Sequence, residues 1–485
     1  MADVTTPEWV KHAVFYQIFP DRFAKSATLT KPHNLEPWDS DPTTYGYKGG
    51  DLLGVVEHLD YLQELGVTAL YFNPIFQSAS NHRYHTHDYL QVDPLLGGNT
   101  AFATLLGECK RRNLRIVLDG VFNHASRGFF QFNDILENGA ASPWLDWFFF
   151  DAHPANAYDH NRPPGYKAWV GLHALPKFNT DNPQVREFLM QVGEHWVRQG
   201  IDGWRLDVAE EIITLGFWQE FRQRIKAINP EAYIVAEIWH ESQQWLQGDQ
   251  FDAVMNYPLT EALISFAIGH RLQQEQIGDR GYFPQPGISG STFADKLDRL
   301  LSLYPWPIQL AQLNLLDSHD TARFLTLAGG DLASMELATL LLFTLPGAPS
   351  IYYGDEIGLT GGRTDAAART TFPWEHPERW NQALLAFYKQ MIALRQSQSA
   401  LQTGTYQRVY ADDAVYAFAR TLGDMTLLIA VNVGDQTHRV QLPLAHLIVE
   451  AMLGTLLYGS CEDVVVDGST LTLTLSARSG VVLGP

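Results

Sequence analysis

The chain has 485 residues, of which 46% are hydrophobic and 12% aromatic, enough apolar surface for a large core and more than one domain. Its formal net charge of −20 disfavours nucleic acid or an anionic membrane as a partner, because either polyanion would repel it. No run of about 20 apolar residues spans a bilayer and no basic-then-apolar leader opens the chain. Cys109 and Cys461 are too few and too far apart for a disulfide framework, so a cytoplasmic protein with two free thiols is expected.

In chain order, β-rich apolar runs alternate with segments of helical period. Strands are expected at 13–19, 68–72, 115–121, 201–208, 233–238, 251–256, 312–317 and 349–353. Helices are expected at 51–65, 100–112, 183–199, 217–228, 258–272 and 332–345. In the first of these, Leu52, Val55, Val56, Leu59 and Leu62 share one face. Strands alternating with helices imply a parallel sheet, and eight such units imply a closed (β/α)8 barrel.

Two segments depart from a bare barrel. Residues 125–182 are too long for a βα loop and rich in Pro, Asn and aromatics, so they are expected to form an inserted excursion domain dividing the barrel into 1–124 and 183–397. The aromatic run from Trp144 to Phe150 within it reads mainly as packing. Beyond it, residues 398–485 carry short alternating runs at 415–420, 426–433 and 471–475, punctuated by Gly and Asp, which reads as a C-terminal antiparallel β-sandwich.

In such a barrel the reacting groups stand at the C-terminal ends of the strands. The third expected strand ends Asp119-Gly-Val-Phe-Asn123-His124, the fourth Trp204-Arg205-Leu-Asp207, the fifth Glu237-Ile-Trp239-His240 and the seventh Asp317-Ser-His319-Asp320. The fourth, fifth and seventh strand ends thus each deliver a carboxylate to one face, and buried carboxylates without a task are costly. Glycoside hydrolysis needs one ionised carboxylate and one protonated acid beside an oxocarbenium-like transition state. Arg205 lies two residues before Asp207 and points the same way, so Asp207 is assigned as the nucleophile. Trp239 lies two beyond Glu237 as an apolar neighbour that would keep a proton on it, and Glu237 is assigned as the acid/base. Asp320 would bind sugar hydroxyls and stabilise the transition state, and Trp239 would also floor the +1 or +2 sugar site. Glu210 and Glu211 read as a solvated helix start. His82, His85 and His87 read as a substrate-facing loop rather than a zinc site.

These four segments resemble the signature regions of the α-amylase family, glycoside hydrolase family 13. Tyr16-Gln-Ile-Phe-Pro-Asp21, Gly49-Gly-Asp51-Leu and Asn73-Pro-Ile-Phe76 resemble further stretches of that family. The resemblance implies that Asp207, Glu237 and Asp320 are the catalytic acids. It also implies that Arg205, His124 and His319 line the −1 sugar site, that Tyr84 stacks on that sugar, and that Asp119 steadies Arg205. Leu175-Pro-Lys-Phe-Asn179 is similar to the motif of cyclomaltodextrinases, neopullulanases and maltogenic amylases. The implied activity is retaining hydrolysis of α-1,4, and also α-1,6, bonds in maltodextrins, cyclodextrins, pullulan or starch. The alternatives are an α-glucosidase or transglycosylase on the same scaffold and, more distantly, an inactive family member.

No cofactor is required by this chemistry. Many relatives hold a structural calcium using a His shortly after the nucleophile; none stands in Asp207-Val-Ala-Glu210-Glu211, while Asn123 matches another ligand, so calcium stays open. The first barrel strand is expected near Ala13, without the preceding β-domain through which enzymes of that branch dimerise, so a monomer is expected. Light scattering should give a mass near 54.6 kDa, and a value twice that would refute it.

Overall fold

In the computed structural model, which describes residues 4–151, 155–278, 281–444 and 455–485, eight parallel strands form the central sheet. They are Phe15–Ile18, Ala69–Phe72, Arg115–Gly120, Gly203–Leu206, Tyr233–Ala236, Ala253–Val254, Leu313–Leu315 and Ala348–Tyr352, numbered below as the first to the eighth. Each pairs in parallel with its neighbours, and the first pairs with both the second and the eighth. All eight lie inside or within one residue of the segments the alternation predicts.

The sixth strand is the shortest because Met255 and Asn256 leave it to close the ring. Met255 bridges Leu313 in parallel, and the Asn256 amide donates to the Leu313 carbonyl at 2.9 Å. Asn256 then caps the helix Tyr257–Leu263. The expected helix over 258–272 stops there and continues as a π-helical turn, Ile264–Ile268, and a 3-10 turn, Gly269–Arg271.

The helices Pro183–Gln199 and Phe217–Ile228 match their expected ranges. The one expected over 51–65 is two, Leu52–Glu57 and Leu59–Leu65, broken at His58. There the ring Nδ1 bonds the Gly54 carbonyl at 2.8 Å and the ring packs 3.8 Å from Trp374. Tertiary packing overrides the local period at that residue.

Alternation along the strands separates the barrel floor from its mouth. Phe15, Ala69, Tyr71, Val117, Tyr233, Val235, Ala253, Leu313 and Leu315 fill the interior. Two residues further along the same inward series come Gln17, Asn73, Asp119 and Glu237. On the fourth strand Gly203, Arg205 and Asp207 continue this face. Gly203 is required there, since a Cβ would sit 2.3 Å from the Tyr233 carbonyl oxygen of the fifth strand.

Residues 121–182 leave the third strand and return before the fourth, carrying the helix Phe130–Asn138. They are tied back to the mouth by Ala125 N to Pro176 O (3.0 Å) and Phe178 N to Asn123 O (3.1 Å). Trp147 and Phe148 are buried in the core, as packing residues should be. After the helices Gln382–Ser397 and Ser399–Thr403, a five-stranded sheet begins at Thr405. It faces a three-stranded sheet across an apolar core that includes Val415, Leu428, Val440 and Leu473. The expected runs at 415–420, 426–433 and 471–475 fall in Val415–Leu422, Met425–Asn432 and Thr470–Leu475.

Two wholly buried arginines tie the end of the barrel together through carbonyl oxygens, and the second joins the sheet to it. Arg395 donates to Phe343 O, Leu401 O, Lys11 O and Gly347 O at 2.7–3.2 Å. Arg420 donates to Thr344 O at 2.6 Å and also to Thr405 O and Gly404 O. Phe343 and Thr344 are the last residues of the helix Leu332–Thr344, where cations complement the helix dipole. Arg395→Met would leave four buried acceptors short of a donor. It should cost about 3 kcal/mol or more and lower the melting temperature, read by calorimetry; an unchanged melting temperature would refute this.

Candidate active site

The mouth of the barrel is organised around one buried cation. The Arg205 side chain is fully enclosed. Its Nη1 donates to Asp119 Oδ1 (2.9 Å), Asp119 Oδ2 (3.0 Å) and Asp207 Oδ1 (3.0 Å). Its Nη2 lies 3.1 Å from Glu237 Oε1, close enough to pair charges but without the angle of a hydrogen bond. Nε faces Met255 Sδ at 3.4 Å. Burial opposes the arginine's charge, but Asp119 and Glu237 outweigh it and hold the guanidinium protonated.

Three carboxylates around one cation would carry a net charge of −2 if all ionised, so repulsion favours a proton shared within the cluster. Burial, then the facing Glu237 charge, push Asp207 well above the usual carboxylate range, with Arg205 pulling the other way. Burial likewise pushes Asp119 up to about 6 against the pull of Arg205.

Glu237 is fixed at both oxygens. Oε2 accepts the Val208 amide at 3.0 Å and Oε1 accepts the Trp239 indole N–H at 3.1 Å. Trp239, expected as an apolar shield, is therefore a hydrogen-bond donor to this acid. Its ring is half-buried and stacks on Tyr257 at 3.6 Å and 6°. Val208, directly after Asp207, sits at φ 38°, ψ 46°, a left-handed conformation costly for a β-branched residue. That strained turn aims its amide at Glu237.

His319 is placed from both sides. The Gln17 side-chain amide donates to its Nδ1 at 2.9 Å, which leaves the ring proton on Nε2. Nε2 lies 2.8 Å from the Tyr84 hydroxyl and 3.0 Å from Asp320 Oδ2. Tyr84 stacks on His319 with ring planes 6° apart and donates to Asp119 Oδ2 at 2.7 Å. Asp320 also receives Arg369 Nη2 on Oδ1 at 3.2 Å. His124 is buried, stacked on Trp169 at 5.5 Å, with Nε2 lacking a partner among the described residues. Burial pulls it down to about 3, so its ring is neutral.

The structure thus brings Asp119, Asp207, Glu237, Asp320, Arg205, His319, Tyr84, His124 and Trp239 to one end of the barrel. Gln17, Asn73, Val208, Tyr257 and Arg369 join them and were missed. Gln17 and Asn73 lie within family-like motifs of the sequence; Arg369 carries no local signal, being delivered by the loop after the eighth strand. Glu210 and Glu211 stand at the start of a short helical turn, Glu211 exposed and Glu210 half-buried. They lie in a 3-10 turn, paired with His240 Nε2 (2.6 Å) and Lys177 Nζ (3.1 Å).

Beside the acids, a cavity of 610 Å³ lies over the loops that follow the eighth, first, second and third strands. It is of the size that holds small ligands. Among the described residues no group of three or more His, Cys, Asp and Glu side chains is disposed to hold a metal. The Asn123 Oδ1 lacks a partner, yet one orphaned oxygen makes no cation cage.

Residues 17–378 match the family model described as the α-amylase catalytic domain, and residues 406–482 the neopullulanase-like C-terminal domain. The chain belongs to the α-amylase family. It is an α-amylase-family glycoside hydrolase on a TIM barrel with a C-terminal β domain. It is 55% identical to the solved debranching enzyme of Nostoc punctiforme, with 100% of each chain covered and a TM-score of 0.93. It is 43% identical over 442 residues to a cyclomaltodextrinase of Geobacillus thermopakistaniensis, covering 90% of this chain and 71% of that one. It is 37% identical to the solved cyclic α-maltosyl-(1→6)-maltose hydrolase of Arthrobacter globiformis, covering 99% and 100%, with a TM-score of 0.86. All the α-amylase signature residues quoted from the sequence lie within the matched regions, apart from Tyr16 just before the first. Among the described residues no helix is long and apolar enough to cross a membrane.

Proposed function

We propose that this chain hydrolyses α-1,4 and α-1,6 glucosidic bonds in maltooligosaccharides, branched and cyclic ones included, with retention through a covalent glycosyl-enzyme. The observation that carries this reading is Arg205 bridging Asp207 and Glu237 on adjacent strands, with Asp320 held opposite by His319 and Arg369. The names of the debranching, cyclodextrin-cleaving and maltosyl-(1→6)-maltose-cleaving relatives support the substrate class.

In the first half-reaction Asp207 attacks the anomeric carbon while Glu237 gives its proton to the glycosidic oxygen. In the second, Glu237 takes a proton from water, which displaces Asp207. Asp320 and His319 Nε2 bind the hydroxyls of the sugar being cleaved, and neutral His124 offers its unsatisfied Nε2 to another. Tyr84 stacks against that ring, and Asp119 steadies Arg205. Because Glu237 must face the leaving group, that part of the substrate lies toward the fifth strand and Trp239. The glycone lies across the barrel, in the cavity over the eighth, first, second and third strands. We also read residues 125–182 as an inserted domain and 398–485 as a separate C-terminal one, the latter enclosing the region that matches the C-terminal family model.

Asp207 must be ionised to attack, and it is raised above the ordinary carboxylate value of about 3.9. The acidic limb of kcat/KM should therefore fall above that pH, with activity lost as pH drops through it. Asp320 contributes to this rise, so Asp320→Asn should cut the rate and shift the limb to lower pH. A limb that stays in place in a pH–rate profile would refute this coupling.

Given β-cyclodextrin, pullulan and a branched maltooligosaccharide in parallel, the enzyme should release α-anomeric products by NMR, with Asp207→Asn on the order of 10⁴-fold slower. Initial β-anomers would sink retention. Transfer products outweighing hydrolysis would favour the transglycosylase alternative, and glucose released stepwise from chain ends the glucosidase.

A further inference from the structure

Basic side chains gather on the wall of the glycone cavity. In a protein of net charge −20, the cavity is lined by Arg22, Arg127 and Arg369. Five histidines line it too, His82, His85, His87, His160 and His173, against a single carboxylate, Asp365. A neutral glucan needs hydrogen-bonding groups there, but not this excess of bases.

The arginines are not equivalent. Arg22 is neutralised by Asp21 at 2.6 Å, and Arg369 by Asp320 (3.2 Å) and Asp365 (3.3 Å). Arg127 has no carboxylate partner among the described residues. It donates Nη1 to the Ala157 carbonyl, and its guanidinium lies 4.4 Å over the exposed ring of Tyr158. These contacts hold the guanidinium in place without spending its charge. The loop that carries it is locked against the histidine segment: Ser126 N donates to Thr86 O at 3.0 Å, and Gly128 leaves room for the His87 ring, which a Cβ would meet at 2.5 Å. Arg127, His85 and His87 therefore share one wall. Burial above all, then Arg127 and His87, pull His85 down to about 4.

We infer that this wall is a phosphate-monoester site: the cavity accepts a glucan unit, or a free sugar, carrying a phosphoryl group paired with Arg127 and hydrogen-bonded by His85 and His87. This rests on the glucan-hydrolase reading above and adds an anionic substrate class to it. A guanidinium fork matches phosphate oxygens bidentately, and an anion would raise the depressed histidines so that they become donors.

The test compares kcat/KM for maltohexaose and for maltohexaose carrying a 6-phosphoryl group on its non-reducing glucosyl unit, in the wild type, Arg127→Gln and Arg127→Lys. The phosphorylated chain should be cut at least as well as the neutral one. Arg127→Gln should lower kcat/KM on the phosphorylated chain at least about tenfold more than on the neutral one, with Arg127→Lys recovering much of that difference. The advantage should also shrink with added salt. If instead glucose 6-phosphate inhibits neutral hydrolysis in an Arg127-dependent way and the phosphorylated chain gains nothing, the site takes the free ester. Rejection of the phosphorylated chain with no such inhibition, or an equal loss on both substrates in Arg127→Gln, overturns the proposal. Should the wild type leave maltohexaose intact, the hydrolase reading fails, and Arg127-dependent binding of glucose 6-phosphate by calorimetry still decides the wall.

Discussion

The buried guanidinium of Arg205 is the constraint on which the mouth of this barrel depends. Removing three carboxylates from water is costly unless they are paired and hydrogen-bonded. One cation touching Asp119, Asp207 and Glu237 supplies that pairing. It cannot cancel all three charges, and the remainder makes the cluster retain a proton, the condition an acid/base pair needs. The same contacts set geometry, because Arg205 spans strands three to five and fixes where their ends stand. A lysine could not do this, since its compact ammonium lacks a planar fork reaching two partners at separate nitrogens.

Much of this was legible in the sequence because it rests on period two. Each strand end reads as an inward series, Val117-Asp119, Arg205-Asp207 and Val235-Glu237, and alternation assigns all of them to the lumen before any fold is known. What was not legible depends on distant segments. Arg369 reaches Asp320 from the loop after the eighth strand, and Gln17 orients His319 from the first, 302 positions away. The break at His58 needs Trp374, which no helical period foresees. For a related reason, the contact of Trp239 with Glu237 differs from the apolar shield expected. The spacing placed its ring beside Glu237, but only the stack on Tyr257 turns the indole N–H toward the carboxylate.

Val208 shows how strain is carried where function needs it. A valine at positive φ persists only if its surroundings over-determine the conformation. Here the Asp207 amide is held by Gly120 O at 3.1 Å, the Val208 amide by Glu237, and Trp218 Nε1 by the next residue's carbonyl, Ala209 O, at 3.0 Å. The strained residue therefore joins two acids on different strands through one short turn. A relaxed backbone would release that amide and leave Glu237 Oε2 without it.

The two sides of the mouth are built on different physics. Toward the fifth and sixth strands, the half-buried Trp239 ring presents aromatic surface backed by the buried Tyr257, a kind of surface suited to the apolar faces of sugars. Across the barrel, the surface is polar and rich in basic side chains, with Arg22 and Arg369 held by ion pairs. The proposed leaving-group side therefore rests on packing, and the proposed glycone side on directional polar contacts. The chain's overall negative charge alters neither, because opposite charges within the cavity act over a few ångströms, while the rest of the surface is screened beyond about 10 Å.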